Sequence, residues 1–118
     1  MHEMSVMGEI FSIIYIKVHK YNLSKITCVT IRIGEMTCLS EQSLRFAFDV
    51  FAENTIAEGA DFVINKVKAR AKCSNCSKIF EIIYTDKECP NCHIYSDNIF
   101  SGYELYLDKV EGEGNEKY

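Results

Sequence analysis

Cys73-Ser-Asn-Cys76, twelve residues, then Cys89-Pro-Asn-Cys92: the reading of the whole chain turns on these two hooks and their separation. Two residues between the cysteines of a hook bend the backbone until two thiolates converge. The loop 77–88 then lets the second hook fold over the first. Four convergent thiolates make a tetrahedral site, and Zn²⁺ is its default occupant because it accepts soft sulfur ligands and imposes no geometry of its own. Two disulfides, or a rubredoxin-like iron centre, would use the same four residues. A site closed by four thiolates has no open position, so it is expected to hold the fold and to do no chemistry.

Working outward, residues 61–69 read as a strand that leads into Cys73, with Gly59 marking the turn ahead of it. After the hooks, residues 103–110 alternate again, with Leu105 and Leu107 on one face. Residues 25–33 form another half-buried strand, with Val29, Ile31 and Ile33 on one side, Thr30 and Arg32 on the other, and Gly34 as the stop. Residues 4–21 carry Met4, Met7, Ile10, Phe11, Ile14 and Val18 at helical spacing. Lys17, His19 and Lys20 suit the end of that helix and Asn22 closes it, although residues 13–16 are β-prone. Ser40 caps a second helix through about residue 54, whose stripe is Leu44, Ala47, Phe48 and Phe51. Phe46 falls off the stripe. The tail 111–118 is charged, contains glycine and is expected to fray.

These elements predict an α+β fold: a three-stranded sheet with two helices on one face, plus a zinc-ribbon-like domain built on the four hook cysteines. Residues 1–69 and 101–118 form the first domain, and the zinc domain, residues 70–100, is inserted before the last strand. The chain has 118 residues, 47% of them hydrophobic, with seven Phe and seven Tyr, enough for a modest core. A net charge of −4 argues against a phosphate-backbone binder. Four of the six cysteines stand in hooks, which fits a reducing compartment better than a secreted disulfide scaffold. The opening Met-His-Glu-Met-Ser has no basic signal region, and the longest apolar run, residues 13–16, cannot span a bilayer. A soluble cytoplasmic protein is expected, with no membrane or nucleic-acid partner.

His2 is the other informative residue. Methionine is retained before so large a neighbour, so the terminal amine of Met1, the His2 amide and the His2 imidazole stand in chelating geometry. Such fused rings favour a square-planar ion, Ni²⁺ or Cu²⁺. The helix that begins directly afterwards holds this arm against a folded body. Glu3 offers a carboxylate or its amide as a fourth donor; alternatively, it is simply an acid at a helix N-terminus.

With these residues in view, the chain resembles the HypA/HybF family of nickel-insertion proteins for [NiFe] hydrogenase maturation. The resemblance runs through Met-His-Glu-Met-Ser at the start, Ile-Arg-Ile-Gly-Glu at 31–35, Ser-Leu-Arg-Phe-Ala-Phe at 43–48 and Ala-Glu-Gly-Ala-Asp at 57–61, and then the paired hooks. Ser-Gly-Tyr-Glu-Leu at 101–105 departs from the family's Gly-Gly-[Asp/Asn]-Glu-[Leu/Met] by placing Tyr103 at the acidic or amide position. The resemblance implies His2 as the essential nickel ligand with Glu3 beside it, and Cys73, Cys76, Cys89 and Cys92 as zinc ligands. It also implies work with the nickel-binding GTPase HypB and delivery of Ni²⁺ to the hydrogenase large subunit, with urease served in some relatives. The protein would be a monomer or homodimer, and no enzyme.

The remaining candidates have plain readings. Cys28 and Cys38 are taken as ordinary thiols. His93 follows Cys92 and either joins the sulfur site or orients it. The runner-up function is a zinc-ribbon nucleic-acid or transcription adaptor. It needs a basic aromatic face, and in the knuckle Glu81, Asp86 and Glu88 offset Lys72, Lys78 and Lys87.

Overall fold

The computed structural model describes residues 3–114. The sites assigned to Met1 and His2 therefore lie outside the described residues, as do the last four residues of the tail. The order of elements is α1 (Glu3–Tyr21), β1 (Leu23–Gly34), a 3-10 turn (Glu35–Thr37), α2 (Glu41–Ala52), β2 (Asp61–Val67), β3 (Arg70–Lys72), β4 (Ile79–Glu81), β5 (Ile99–Ser101) and β6 (Leu105–Gly114). They form an α+β fold with two three-stranded sheets, ordered β2-β1-β6 and β4-β3-β5. The last strand returns to the first sheet, as expected.

Two compact units result: Met1–Arg32, Leu39–Asn65 and Tyr106–Tyr118 make one, and Ile33–Cys38 with Lys66–Leu105 make the other. In the first unit, α1 buries Val6, Met7, Ile10, Phe11 and Ile14. Their spacing follows the helical repeat, so one stripe meets the core while Ile13, Tyr15 and Ile16 of the β-prone run stay exposed. Asn22 takes a left-handed φ of 52° and its N–H reaches the His19 carbonyl at 3.3 Å, which closes the helix. In α2 the Ser40 hydroxyl accepts from the Ser43 N–H at 3.2 Å, an N-cap of the expected kind. Leu44, Ala47 and Phe48 are buried, and Phe48 stacks on Phe62 of β2 with ring centroids 4.4 Å apart.

Three details differ from the periodicity. Met4 is exposed although its spacing puts it on the stripe; Val6 occupies the buried place, and Met4 lines a surface cleft instead. Thr30, expected on the polar side, is buried on β1, the central strand of its sheet. Residues 111–114 do not fray. β1 starts at Leu23, earlier than the alternation suggests, and Ser24 Oγ donates to the Glu113 carbonyl at 3.2 Å, so β6 continues to Gly114.

The second unit has a smaller core: Met36, Ala69, Ala71, Cys73, Phe80, Ile82 and Cys89, with Cys76, Cys92 and Ile99 packed against it. Its sheet is antiparallel, with Ala71 opposite Phe80 on one side and Ile99 on the other.

Candidate metal centre

β3 delivers the chain into the first hook, and the loop 77–88 returns it to the second. The two hooks repeat the same local geometry. In the first, the Cys73 N–H donates to the Lys78 carbonyl at 2.8 Å and the Ser77 N–H to the Cys73 carbonyl at 2.9 Å. In the second, the Cys89 N–H donates to Ile94 and the His93 N–H to Cys89, both at 2.8 Å. Ser77 and His93, each directly after the hook's second cysteine, turn the chain through left-handed φ values of 65° and 60°. Backbone N–H groups then point at sulfur: Asn75 and Cys76 donate to Cys73 Sγ at 3.4 and 3.5 Å, and Cys92 donates to Cys89 Sγ at 3.4 Å.

All four sulfurs lie within 4.8 Å of one another. Cys76 Sγ and Cys89 Sγ are 3.7 Å apart. A tetrahedron with zinc–sulfur distances of about 2.3 Å has sulfur–sulfur edges of about 3.8 Å, whereas a disulfide needs about 2.05 Å. None of the six cysteines is paired in a disulfide. The sulfurs are spaced to hold a metal ion, and their surroundings fit one too. The Cys76 thiol is lowered to about 6, chiefly by the Lys78 backbone N–H. Cys73 is also lowered, chiefly by the Cys76 backbone N–H. Cys92 stands at about 11: the Asn75 amide pulls it down, but its own hydrogen bond to Cys76, burial and Cys73 outweigh that pull. Low and high thiols side by side are what four sulfurs produce when they cannot all be anions together, and a divalent cation removes that conflict.

The asparagines of the hooks were not singled out by sequence reasoning, yet each crosses to the opposite hook. Asn75 Nδ2 donates to Cys92 Sγ at 3.3 Å, and the Asn91 side chain is among the groups that lower the Cys76 thiol. The one legible signal is their shared place before the second cysteine of each hook. Such amides orient ligating sulfurs and stabilise the thiolate.

Residues 33–38 support the knuckle from within the same unit. The Gly34 N–H donates to the Glu104 carbonyl at 2.8 Å and the Met36 N–H to the Gly102 carbonyl at 2.7 Å. A Cβ on Gly34 would stand 2.0 Å from the Gly102 carbonyl oxygen, so only glycine allows the two backbones to meet. The Glu35 carboxylate accepts from the Ala69 N–H at 2.7 Å, and the Glu104 carboxylate from the Gly102 N–H at 2.7 Å. The glycine-glutamate pairs of residues 31–35 and 101–105 thus form one interlocked joint. Tyr84 Oη donates to the Met36 carbonyl and accepts from the Cys38 thiol at 3.3 Å. That contact with Cys38, followed by burial, pushes the Tyr84 hydroxyl up to about 12.

Glu3 opens α1, and its carboxylate accepts from the Ser40 N–H at 2.8 Å. Beside it, Glu3, Met4, Ser5, Gln42, Ser43 and Phe46 line an open cleft of about 840 Å³. His93 stands outside the sulfur cluster, with Nδ1 3.3 Å from Glu88 Oε2. Cys28 Sγ lies 3.9 Å from Thr30 Oγ1 on the central strand.

No helix among the described residues is long and apolar enough to cross a membrane. The family described as "Hydrogenase/urease nickel incorporation, metallochaperone, hypA" matches residues 1–112. The hydrogenase maturation factor HypA of Caldanaerobacter subterraneus subsp. tengcongensis is 37% identical over 114 residues, which span 96% of this chain and all of that protein. The hydrogenase maturation factor HybF of Escherichia coli K12 is 32% identical over 113 residues, again 96% of this chain and all of the relative. The solution structure of the Ni metallochaperone HypA from Helicobacter pylori superposes with a TM-score of 0.68 at 26% identity, covering 98% of this chain and 100% of that one. An α+β fold built around a four-sulfur knuckle and a match across nearly the whole length agree: the chain belongs to the HypA family of hydrogenase and urease nickel-incorporation metallochaperones.

Proposed function

We propose that this protein binds Ni²⁺ at its N-terminal arm and delivers it during maturation of a [NiFe] hydrogenase, while Cys73, Cys76, Cys89 and Cys92 hold a structural Zn²⁺. The nickel ligands are the Met1 amine, the His2 amide and the His2 imidazole. The observation that carries this reading is the tether of Glu3: its carboxylate on the Ser40 N–H ties the arm to α2 in a family of nickel-incorporation proteins. Since that carboxylate is engaged, the backbone nitrogen of Glu3 is the better fourth donor. It lies in the first turn of α1.

The ligand set is short, exposed and made of nitrogen. A client that offers thiolates displaces such ligands stepwise, and the cleft of Met4, Gln42, Ser43 and Phe46 leaves room beside the arm for a client chain. The knuckle behaves differently. With four sulfurs around the ion no position is open, so zinc supplies cross-linking and no exchange. HypB-type GTPase and the hydrogenase large subunit are the partners this reading names, in the cytoplasm, with urease machinery as a second client in some relatives.

The test is a calorimetric Ni²⁺ titration with metal analysis on untagged, zinc-loaded protein beside the His2→Ala variant. One nickel site is expected to vanish in the variant while zinc content stays the same. Equal nickel binding in both proteins would remove the arm from the account.

A further inference from the structure

Residues 66–72 read Lys-Val-Lys-Ala-Arg-Ala-Lys, a cation at every second position with a small apolar residue between. The second unit turns this alternation into two faces. Ala69 and Ala71 are buried, whereas Lys68 and Lys72 are exposed and Arg70 is half-buried. Strand pairing widens the outward face. Lys72 stands opposite Ile79, and Arg70 stands opposite Glu81 on one edge and Ser101 on the other. The register shift between Arg70 and Ala71 adds one residue more: Ile99 turns to the core opposite Ala71, so Phe100 points out and is 60% exposed. Ile79 is 43% exposed on the same face.

Within β3, β4 and β5 the acid on this face is Glu81, and Lys68 Nζ already meets it at 3.3 Å. Among the described residues, Arg70 and Lys72 have no carboxylate within ion-pairing distance. The chain carries a net −4, so the remainder carries −7 once Lys68, Arg70 and Lys72 are set aside. Arg70 and Lys72, unpaired beside two exposed apolar side chains on an otherwise acidic protein, are a local exception that needs an occupant.

We propose that the outward face of β3, β4 and β5 docks an extended acidic segment of a partner protein, with carboxylates along the cation row and an apolar side chain on Phe100. Alternate residues of a strand stand about 6.7 Å apart, which is also the repeat of same-side residues in an extended peptide, so acids at every second position meet the cations in register. The face, not an edge, is the docking surface: β4 and β5 have three residues each, too short to template an added strand. Nucleic acid is the poorer fit, because the row is one strand wide and offers one aromatic platform where single-strand grooves use several. This inference stands on the knuckle unit alone and does not depend on nickel binding by the arm.

The experiment uses the full zinc-loaded chain and fluorescence anisotropy of a labelled synthetic peptide that alternates Glu with Ala around one central Phe, at low ionic strength. Saturable binding is expected. It should weaken about tenfold or more in the Arg70→Glu/Lys72→Glu double variant and a few-fold in Phe100→Ala, with zinc content unchanged in both. Lys17→Glu/Lys20→Glu on α1 should leave it unaltered. The proposal is overturned by absent or non-saturable binding, or by equal binding in the double variant. It is also overturned if an oligothymidine of matched length binds more tightly than the peptide. Self-association that the double variant abolishes, without peptide binding, would assign the face to a second copy of this chain and overturn it too.

Discussion

The two units solve the problem of a small core in opposite ways. The helix-and-sheet unit fills its interior with large side chains: Phe11, Phe48 and Leu44 among them, with Phe48 stacked on Phe62. The knuckle unit has two buried alanines, a methionine, a phenylalanine and an isoleucine, and two of its most buried side chains are Cys73 and Cys89. Sulfur occupies positions where the first unit places hydrocarbon. A core of that size rarely stabilises a fold unaided, so the ion must supply what burial does not. The lesson is that one chain can contain a unit whose stability is written in apolar area and another whose stability is written in a metal equilibrium.

The most severe way to break this contrast is to take the metal away. Chelation should cost the knuckle unit roughly 10 kcal/mol and remove amide exchange protection across residues 70–101, while α1, α2 and their sheet keep theirs. Loss of protection in both units together would show that the contrast is false. Next in size, Phe48→Ala should cost the first unit about 3–5 kcal/mol, because the stack with Phe62 and the contact with Phe11 collapse into a cavity. Zinc content should be untouched, which thermal melting with parallel metal analysis would check.

Gly34→Ala sharpens the comparison from the other side, since it adds one carbon to the knuckle unit. With the Gly102 carbonyl 2.0 Å from the new Cβ, the joint has to open, at a cost of about 3 kcal/mol. Faster thiol modification of the zinc-loaded protein is the expected readout. The smallest effect concerns Tyr84. Its hydroxyl is raised in the folded state from 10 to about 12, so folding favours the protonated form. The corresponding stability is complete below pH 10 and is lost as pH climbs towards 12. Alkaline titration of the knuckle unit should show that loss, and Tyr84→Phe should flatten it.

Much of this architecture is legible in the sequence because it rests on local rules. The spacing of Met7, Ile10, Phe11 and Ile14 gives α1, Ser40 announces α2, and the paired hooks announce the sulfur cluster. What stays hidden depends on residues far apart in the chain. Nothing local says that Glu35 will meet the Ala69 N–H, or that Tyr84 will find the Met36 carbonyl. The burial of Thr30 is hidden for the same reason, since alternation reveals which residues share a face but not what covers it. Asn75 and Asn91 carry a local hint, their common place in the hooks, yet their reach to the opposite sulfur needs both hooks folded. At the N-terminus, chelate chemistry singles out His2, whereas the engagement of the Glu3 carboxylate by Ser40 is a tertiary fact.

Residues 33–38 leave one more mark. Because they belong with Lys66–Leu105, the chain passes between the units at 32/33, 38/39, 65/66 and 105/106, four crossings where a simple insertion has two. A gene fragment encoding the stretch between the hooks and their flanking strands would not carry the Gly34–Met36 segment that its product needs. The knuckle is therefore a poor cassette for recombination: moved without residues 33–38, it would lack part of its own core.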